Sequence, residues 1–352
     1  MRVIGWVLVL VLGAAAVLTL NPEWLARVNP DWAGLTTTYP LAQLFALRAL
    51  LAVAFAVVAA VVLVVGAVRR RWFHGGTRTL LLGVVLAVVA GAHGWVLVDR
   101  GLSNPAELAA DRGLRPADPG DGTLTLVAYN TREGRTGAGD LATTAEDTGA
   151  DVLVLSETSA ELAQDVASRL AGEDETFQVF MATGGPEGIG DTGSTALLVS
   201  TTLGEYVQVT GPATERGAVR AEPASGVGPV LVGVHAMPPL RDTHAQWLVD
   251  IEAVMELCGS RGPDGMILAG DLNTTLDHGP MQDLGRCADG AVEAGVGGLA
   301  TWPAQLPALL GTAIDHVLVD AERYEVTAGR IVDRGDSDHR GLVVRLRPVG
   351  PS

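Results

Sequence analysis

The first hundred residues of this chain alternate between long apolar segments and short polar connections. Segments without a charged residue span residues 3–20, 49–68 and 79–98. Because an α-helix rises about 1.5 Å per residue and a hydrocarbon core is about 30 Å thick, each segment is long enough, or nearly so, to cross a membrane. The pattern predicts a membrane region over residues 1–100 that contains three transmembrane helices.

A cleaved signal peptide is the alternative for the first of these segments. Its basic region is the single residue Arg2, its apolar run is long, and two further spans follow it. These features favour an uncleaved anchor. Within the spans, we expect the Arg48 side chain to extend to the membrane interface, and we expect His93 to be a packing residue.

After residue 100 the apolar segments become short. Residues 101–120 are rich in Pro, Gly, Asp and Arg without periodicity, which predicts a linker. Over residues 121–348, short apolar runs typical of strands alternate with amphipathic stretches typical of helices. This alternation is typical of a layered α/β domain.

Polar side chains stand at the ends of several predicted strands of this domain. The apolar run 266–269 leads into Gly270-Asp271-Leu272-Asn273, which alone is a weak signal because a strand that enters an ordinary turn gives the same letters. The pattern recurs elsewhere in the domain, however. Other strand-like runs lead to Asn130, Glu157 and His235, residue 314 precedes Asp315-His316, and Ser337-Asp338-His339 precedes the last strand-like run.

In this order, the motifs resemble those of the endonuclease/exonuclease/phosphatase family, which includes deoxyribonucleases, abasic-site endonucleases, neutral sphingomyelinases and inositol polyphosphate 5-phosphatases. The resemblance covers roughly residues 121–348. It implies a four-layered α/β sandwich, in which two packed mixed sheets are flanked by helices, here preceded by three transmembrane helices. It also implies a hydrolase of phosphate esters that depends on a divalent metal.

The resemblance assigns the metal to oxygen ligands at two predicted strand ends and in the last motif. Glu157 is the main ligand, with Asn130 near the metal and Asp338 completing that side. Mg²⁺ accepts one or two carboxylates and keeps its other positions for water and substrate phosphate. We therefore expect Mg²⁺ as the cofactor, with Mn²⁺ or Ca²⁺ as substitutes.

The remaining motif residues have catalytic roles in the resemblance. Asp271 and Asn273 hold the attacking water and a phosphate oxygen, and His235 donates to the phosphate. His339 is the acid or base, and Asp315 orients it, because an imidazole that transfers protons needs a partner to fix its tautomer. Family members differ over whether the counterpart of Asp271 or of His339 is the base. His316 follows Asp315 directly and should face the opposite side of its strand, so we exclude it from the site.

The charge distribution adds an orientation and a preference among substrates. The loop 69–78 carries four arginines and no acidic residue, so we expect it in the cytoplasm and the domain after residue 100 outside the cytoplasm. Residues 101–352 hold sixteen arginines and thirty-seven acidic residues, a net charge of −21. Such a field disfavours tight, non-specific binding of duplex DNA, so a lipid or small phosphorylated metabolite is preferred over nucleic acid as the substrate.

Two alternatives stay open from the sequence. Cys258 and Cys287, the only cysteines, either form a disulfide or remain buried free thiols. Because three spans exceed what an anchor needs, the chain could instead be a membrane sensor or interaction protein whose domain of the same fold binds without hydrolysis. The combination of a candidate base with its orienting carboxylate favours the enzyme.

Overall fold

The structure is a computed structural model that describes residues 2–108, 122–172, 175–185 and 190–349. The chain divides into two compact units. One comprises residues 1–99 together with Asp277–Gly279, and the other comprises residues 100–276 and 280–352.

The first unit is helical. Its α-helices are α1 (Arg2–Leu18), α2 (Leu41–Ala46), α3 (Arg48–Trp72) and α4 (Thr77–Asp99), with short 3-10 helices between α1 and α2. Among the described residues, α3 and α4 are long and apolar enough to cross a membrane. The helix in the first predicted span, α1, is shorter than expected. It has 17 residues and extends about 26 Å, which is less than the thickness of about 30 Å of a hydrocarbon core.

Small residues let α3 and α4 pack closely. A side chain at Gly66 would approach Leu80 to 2.8 Å, and one at Gly83 would approach Leu63 to 2.7 Å, so glycine is needed at both crossing points. In their most apolar windows, only 11% of the α3 residues and 22% of the α4 residues are buried. Most of the apolar side chains on these two helices therefore face outward, unlike those of a helix in a soluble core.

A buried polar cluster lies within this first unit. Arg48 Nε and Nη2 contact Oδ1 of Asp277 at 2.9 and 2.7 Å, and Arg48 Nη1 lies 3.1 Å from Nδ1 of His93. His93 Nε2 lies 3.0 Å from Oγ1 of Thr19. His93 is fully buried and stacks on Phe55, as expected for a packing residue, and it also has polar contacts that were not expected. The extension of Arg48 to the membrane interface stays a prediction. Its contact with Asp277, 229 residues away in sequence, could not be seen in the local pattern.

The second unit contains two six-stranded sheets. Its strands are β1 (Leu124–Asn130), β2 (Val152–Ser156), β3 (Phe177–Thr183), β4 (Ser194–Ser200), β5 (Tyr206–Val209), β6 (Ala218–Pro223), β7 (Val230–His235), β8 (Met266–Asp271), β9 (Cys287–Asp289), β10 (Asp315–Asp320), β11 (Tyr324–Val332) and β12 (Gly341–Pro348). Its helices are α5 (Ala138–Thr148), α6 (Ala160–Leu170), α7 (His244–Glu256) and α8 (Gly290–Glu293). The strand orders are β11-β12-β1-β2-β4-β3 and β5-β6-β7-β8-β10-β9. The pairs β1–β2 and β7–β8 are parallel and the other pairs are antiparallel, so both sheets are mixed.

The two sheets pack face to face. Their shared core includes Leu126 and Val154 from the first sheet and Ile267 and Val317 from the second. Helices α5 and α6 cover the outer face of the first sheet, and α7 buries Trp247 in the second unit. The predicted sandwich of two mixed sheets flanked by helices is confirmed. The inner strands β1, β2, β4, β8 and β10 are buried along their whole length, as expected for apolar runs that are covered on both faces.

The start of the predicted linker packs on this second unit. The Asn104 side chain exchanges two hydrogen bonds with the backbone of Ile331, at 3.0 and 2.9 Å. The Ser103 amide donates to the Gly295 carbonyl at 3.1 Å. Residues 101–108 therefore belong to the surface of the domain, because its loops satisfy their backbone groups, and predicted linker residues 109–120 lie outside the described residues.

The structure also settles the pairing of the cysteines. Cys258, just after α7, forms a disulfide with Cys287 at the start of β9. The bond closes a loop with a sequence separation of 29 residues, and this loop contains β8 with Asp271.

Candidate active site

The site forms where strands of both sheets end. Asp271 ends β8 and lies opposite His235, the last residue of parallel β7, and opposite Asp315, the first residue of antiparallel β10. Asn130 ends β1 in the other sheet and donates from Nδ2 to Oδ2 of Asp271 at 2.9 Å. This contact joins the two facing sheets at one end of their strands, so residues distant in sequence meet there.

His339 is held between two carboxylates. Its Nδ1 lies 2.9 Å from Oδ2 of Asp315, and its Nε2 lies 3.7 Å from Oδ2 of Asp271. Burial would lower the pKa of the His339 imidazole, but the Asp315 and Asp271 carboxylates outweigh burial and raise that pKa above its ordinary value. His339 is therefore protonated at neutral pH, with Nδ1–H directed at Asp315.

Asp271 and Asn273 are fixed by the turn that follows β8. The Asn273 amide donates to Oδ1 of Asp271 at 2.9 Å, and Asn273 Nδ2 donates to the Ala236 carbonyl at 2.9 Å. Asn273 has φ +48°, a left-handed conformation that Asn tolerates better than most residues. Gly270 has φ +137°, and a Cβ at that position would collide with the Val234 carbonyl oxygen.

Burial controls the protonation of the Asp271 carboxyl. Full burial raises its pKa, and the nearby positive charge of His339 opposes this shift only in part. A carboxyl group with a raised pKa is a better proton acceptor at neutral pH than an ordinary aspartate. Asp271 is therefore suited to accept a proton from water, while protonated His339 is suited to stabilise or donate to a phosphate oxygen.

Glu157 follows β2 at the same edge. It adopts φ +54°, and its Oε1 accepts from Asn130 Nδ2 at 3.2 Å. Burial raises the pKa of this carboxyl, although the Asn130 amide and the Arg216 guanidinium oppose that shift. A cation beside this carboxylate would favour its charged form.

Arg216 is a cation that the sequence motifs did not identify. Its Nη1 lies 2.9 Å from Nε2 of His235 and 3.5 Å from Oε1 of Glu157. It stands in the loop before β6 rather than at a strand end, so the only signal in the sequence was its positive charge in an acidic domain. Its side chain is 17% exposed, so it borders the site and remains partly accessible to a ligand.

The resemblance implied that His235 donates to the substrate phosphate, whereas in the structure its Nε2 contacts the Arg216 guanidinium. Burial and the Arg216 guanidinium lower the pKa of His235 well below its ordinary value, so the ring is neutral. A neutral ring that accepts from Arg216 at Nε2 carries its proton on Nδ1. Donation by His235 to a phosphate stays a prediction, whereas Arg216 brings N–H donors to the same place.

Asp338 lies at the rim of the site. Its Oδ2 accepts from the Trp302 indole N–H at 3.3 Å, and its Oδ1 lies 3.5 Å from Nε of Arg132. Of the three predicted metal ligands, Asn130 and Glu157 contact each other directly, and the role of Asp338 stays a prediction. Trp302 and Arg132 were not singled out in the sequence, because neither stands at a strand end.

The residues present fit a divalent cation. The Glu157 carboxylate offers hard oxygen donors, the ligand type that Mg²⁺ prefers. Asn130 directs its Nδ2 at Glu157 and Asp271, while its Oδ1 accepts from the Arg132 amide at 2.9 Å, so its role as a metal ligand stays a prediction. Asp271, Asp315 and His339 also bring one ligand atom each within 4.8 Å of one another. Because His339 Nδ1 already lies 2.9 Å from the Asp315 carboxylate, this second group is suited to proton transfer, and the division of roles between the two groups stays a prediction.

One family model and several solved structures are similar to this chain. The family model described as Endonuclease/Exonuclease/phosphatase family matches residues 127–339, more than half of the chain. Similar solved structures include humanized D. rerio TDP2 with 14 mutations (17% identity, covering 64% of this chain and 99% of that chain, TM-score 0.49). They also include the Bacteroides thetaiotaomicron VPI-5482 mannosyl-6-phosphatase Bt3783 (16% identity, 63% and 99%, TM-score 0.47). No curated protein matches the chain.

Proposed function

Because the chain belongs to the endonuclease/exonuclease/phosphatase family, we propose that it is a divalent-metal-dependent hydrolase of phosphate esters that acts outside the cytoplasm. The observation that carries this proposal is the buried convergence of Asp271, Asp315 and His339 beside Asn130 and Glu157. A binding module has no need of a proton acceptor and an imidazole that is oriented by its own carboxylate.

The chain's own residues divide the work of hydrolysis. Asp271 holds the attacking water and accepts its proton, and Asn273 contacts a phosphate oxygen. Protonated His339, oriented by Asp315, stabilises the charge that develops on the phosphate. Glu157 and Asn130 would hold the metal, which when bound supplies positive charge to the phosphate oxygens. Arg216 supplies N–H donors to the same oxygens.

Three observations support a location outside the cytoplasm. Helices α3 and α4 are long and apolar enough to cross a membrane. Arginines stand at the end of α3 (Arg69, Arg70 and Arg71) and at the start of α4 (Arg78), and they favour the cytoplasmic side for the connection between these helices. The Cys258–Cys287 disulfide belongs to the domain after residue 100, and disulfides persist mainly in oxidising compartments. A reporter fused after Ser352 tests this, since activity restricted to the cytoplasm would contradict the proposed orientation.

For the substrate, we propose a membrane lipid or a small phosphorylated metabolite. The net charge of −21 over residues 101–352 repels a long polyanion, whereas Arg216 can neutralise a single phosphate locally. The counter-test measures the affinity of the chain for random duplex DNA at physiological salt and without metal. A dissociation constant in the micromolar range or below would contradict the preference for a lipid or small metabolite over nucleic acid.

The enzymatic proposal is tested with the full chain in lipid nanodiscs. Phosphomonoesters and phosphodiesters of lipids, sugars, nucleosides and nucleic acids are offered with Mg²⁺ or with EDTA. We expect turnover of at least one class with Mg²⁺, none with EDTA, and loss of turnover in Asp271→Asn. Glu161→Gln, an exposed change at the start of α6, serves as the active control. Binding of a phosphate ester without turnover would instead support the alternative of a membrane sensor whose domain does not hydrolyse its ligand.

A further inference from the structure

The buried imidazole of His316 stands directly behind the site. His316 follows Asp315 on β10, is 2% exposed, and lies opposite Gly270 in the register with β8. Its Nδ1 lies 2.6 Å from Oδ2 of Asp289, and its Nε2 lies 2.9 Å from the Thr274 carbonyl oxygen. The ring therefore bridges the end of β9 and the turn that follows β8.

Both ring nitrogens of His316 face acceptors. A carboxylate and a carbonyl oxygen can only accept, and a neutral imidazole has one N–H to donate. Both contacts are hydrogen bonds only if the ring carries two protons. Burial alone would lower the pKa of His316, but the Asp289 carboxylate and the Thr274 carbonyl outweigh burial and raise it.

The two ends of this bridge differ in function. At one end, Asp289 also caps α8, because its Oδ1 accepts from the Ala291 and Val292 amides at 2.9 and 3.0 Å. At the other end, Thr274 is the residue after Asn273. The bridge thus joins a fixed helix start to the turn that carries candidate catalytic groups.

That turn depends on outside contacts for its shape. Asn273 is in the left-handed region, and such conformations persist where the surroundings hold them. Its amide donates to the Asp271 carboxylate, so a shift of the turn also moves that carboxylate. Trp247 supports the turn from α7, donating to Oγ1 of Thr274 at 2.8 Å. His316 supports it from the opposite strand, at the Thr274 carbonyl.

We propose that His316 is a positioning residue: it donates to the Thr274 carbonyl and thereby holds Asn273 and Asp271 where water and phosphate meet. This inference rests on the proposed hydrolase function. His316 does not touch the reacting atoms, since it faces the other side of β10 from Asp315. It acts through the geometry of the turn.

The hydrogen-bond chemistry specifies a rescue experiment. The Gln side chain in His316→Gln has one NH₂ group and one oxygen. If its NH₂ group donates to Asp289, its oxygen faces the Thr274 carbonyl oxygen, and the two oxygens repel each other. Adding Asp289→Asn turns the Gln side chain round, because the NH₂ group of the new Asn donates to the Gln oxygen. The N–H group at position 316 is then free to donate to Thr274. In Asp289→Asn alone, a neutral His316 still donates to Thr274.

Four variants are compared as the full chain in nanodiscs: His316→Gln, Asp289→Asn, the double variant, and Val319→Ala as a control. Val319 is a fully buried residue of the same strand, so its truncation loosens the core without touching the turn. We expect His316→Gln to lower kcat by about 10- to 100-fold, because a misplacement of about 1 Å can cost that much. KM and the apparent Mg²⁺ affinity should change little.

We expect the double variant to return to the kcat of Asp289→Asn, and Val319→Ala to retain kcat despite a lower unfolding midpoint. A wild-type kcat in His316→Gln, or a double variant no better than His316→Gln, would overturn the inference while the hydrolase function stands. An inactive wild type would overturn the hydrolase function and this role with it. Ring ¹⁵N spectra of the wild type should show both His316 nitrogens protonated at neutral pH, and a neutral ring would contradict the double donation even if the variants failed to fold.

Discussion

His339 Nδ1 lies 2.9 Å from Oδ2 of Asp315, although 24 residues separate the two in sequence. Asp315 begins β10, and His339 lies just before β12, which belongs to the other sheet. Packing of the sheets therefore creates the pair. Because the Asp315 carboxylate fixes the tautomer and charge of the ring, the two residues should act in catalysis as one unit.

This unit predicts a non-additive pair of substitutions. His339→Ala should lower kcat by about 10²- to 10⁴-fold, the usual contribution of a general acid or base. Asp315→Asn should cost nearly as much, and the double variant little more than the worse single variant. The measurement is kcat at saturating Mg²⁺, with metal binding expected to be unchanged. Losses that multiply would show that the residues act independently.

Glu157 should control the affinity for the metal rather than proton transfer. In Glu157→Gln, loss of the carboxylate should weaken the apparent Mg²⁺ affinity, so that activity partly returns at high Mg²⁺ concentration. The measurement is activity against Mg²⁺ concentration, beside Glu161→Gln as the exposed control. An activity loss that is independent of Mg²⁺ would assign Glu157 another role.

Arg216 should contribute to phosphate recognition. Arg216→Ala should lower kcat/KM by about 10²- to 10³-fold, as expected for a lost donor to a developing negative charge. Arg216→Lys should recover only part of this, because a single ammonium group cannot reproduce the planar fork. Arg220→Ala on β6, which removes an arginine paired with Glu222, is the matched control. Equal losses at both positions would point to a general charge effect.

The raised pKa of His316 predicts how stability depends on pH. Its pKa is higher in the folded than in the unfolded chain, so its stabilisation is complete below the ordinary histidine pKa of about 6.5 and is lost as pH rises through the folded value. The difference in unfolding midpoint between the wild type and His316→Gln should shrink from neutral to alkaline pH. A constant difference would contradict the charged state.

The Cys258–Cys287 bond should stabilise the domain through its unfolded state. Closing a loop of this length is worth about 3 to 4 kcal/mol in the chain-entropy account. Reduction should lower the unfolding midpoint of the wild type to that of the Cys258→Ser/Cys287→Ser variant, which should not respond to reductant. A reductant response in the double variant would assign the effect elsewhere.

The amino-acid pattern alone was enough to identify the family, the type of fold and most of the strand-end residues. Strand-forming runs are local, and a side chain at a strand end is visible as a polar residue after an apolar run. Asn130, Glu157 and Asp271 follow this pattern, so they could be named without knowledge of the strand order. Asp315 instead begins its strand, and it was named from its place in the order of motifs. The exclusion of His316 from the reacting face also follows from the two-residue period of a strand.

Which side chains meet became visible only in the folded chain. Arg216 lies in a loop, and its contact with His235 depends on how β6 and β7 pair. Arg48 meets Asp277, and His316 meets Asp289 and Thr274, across separations that no local period reports. Strand order, sheet packing and burial also set the protonation of Asp271 and His339. Local pattern determines which groups are available, whereas long-range packing determines their partners, because the charge and hydrogen bonding of a buried group depend on what surrounds it in space.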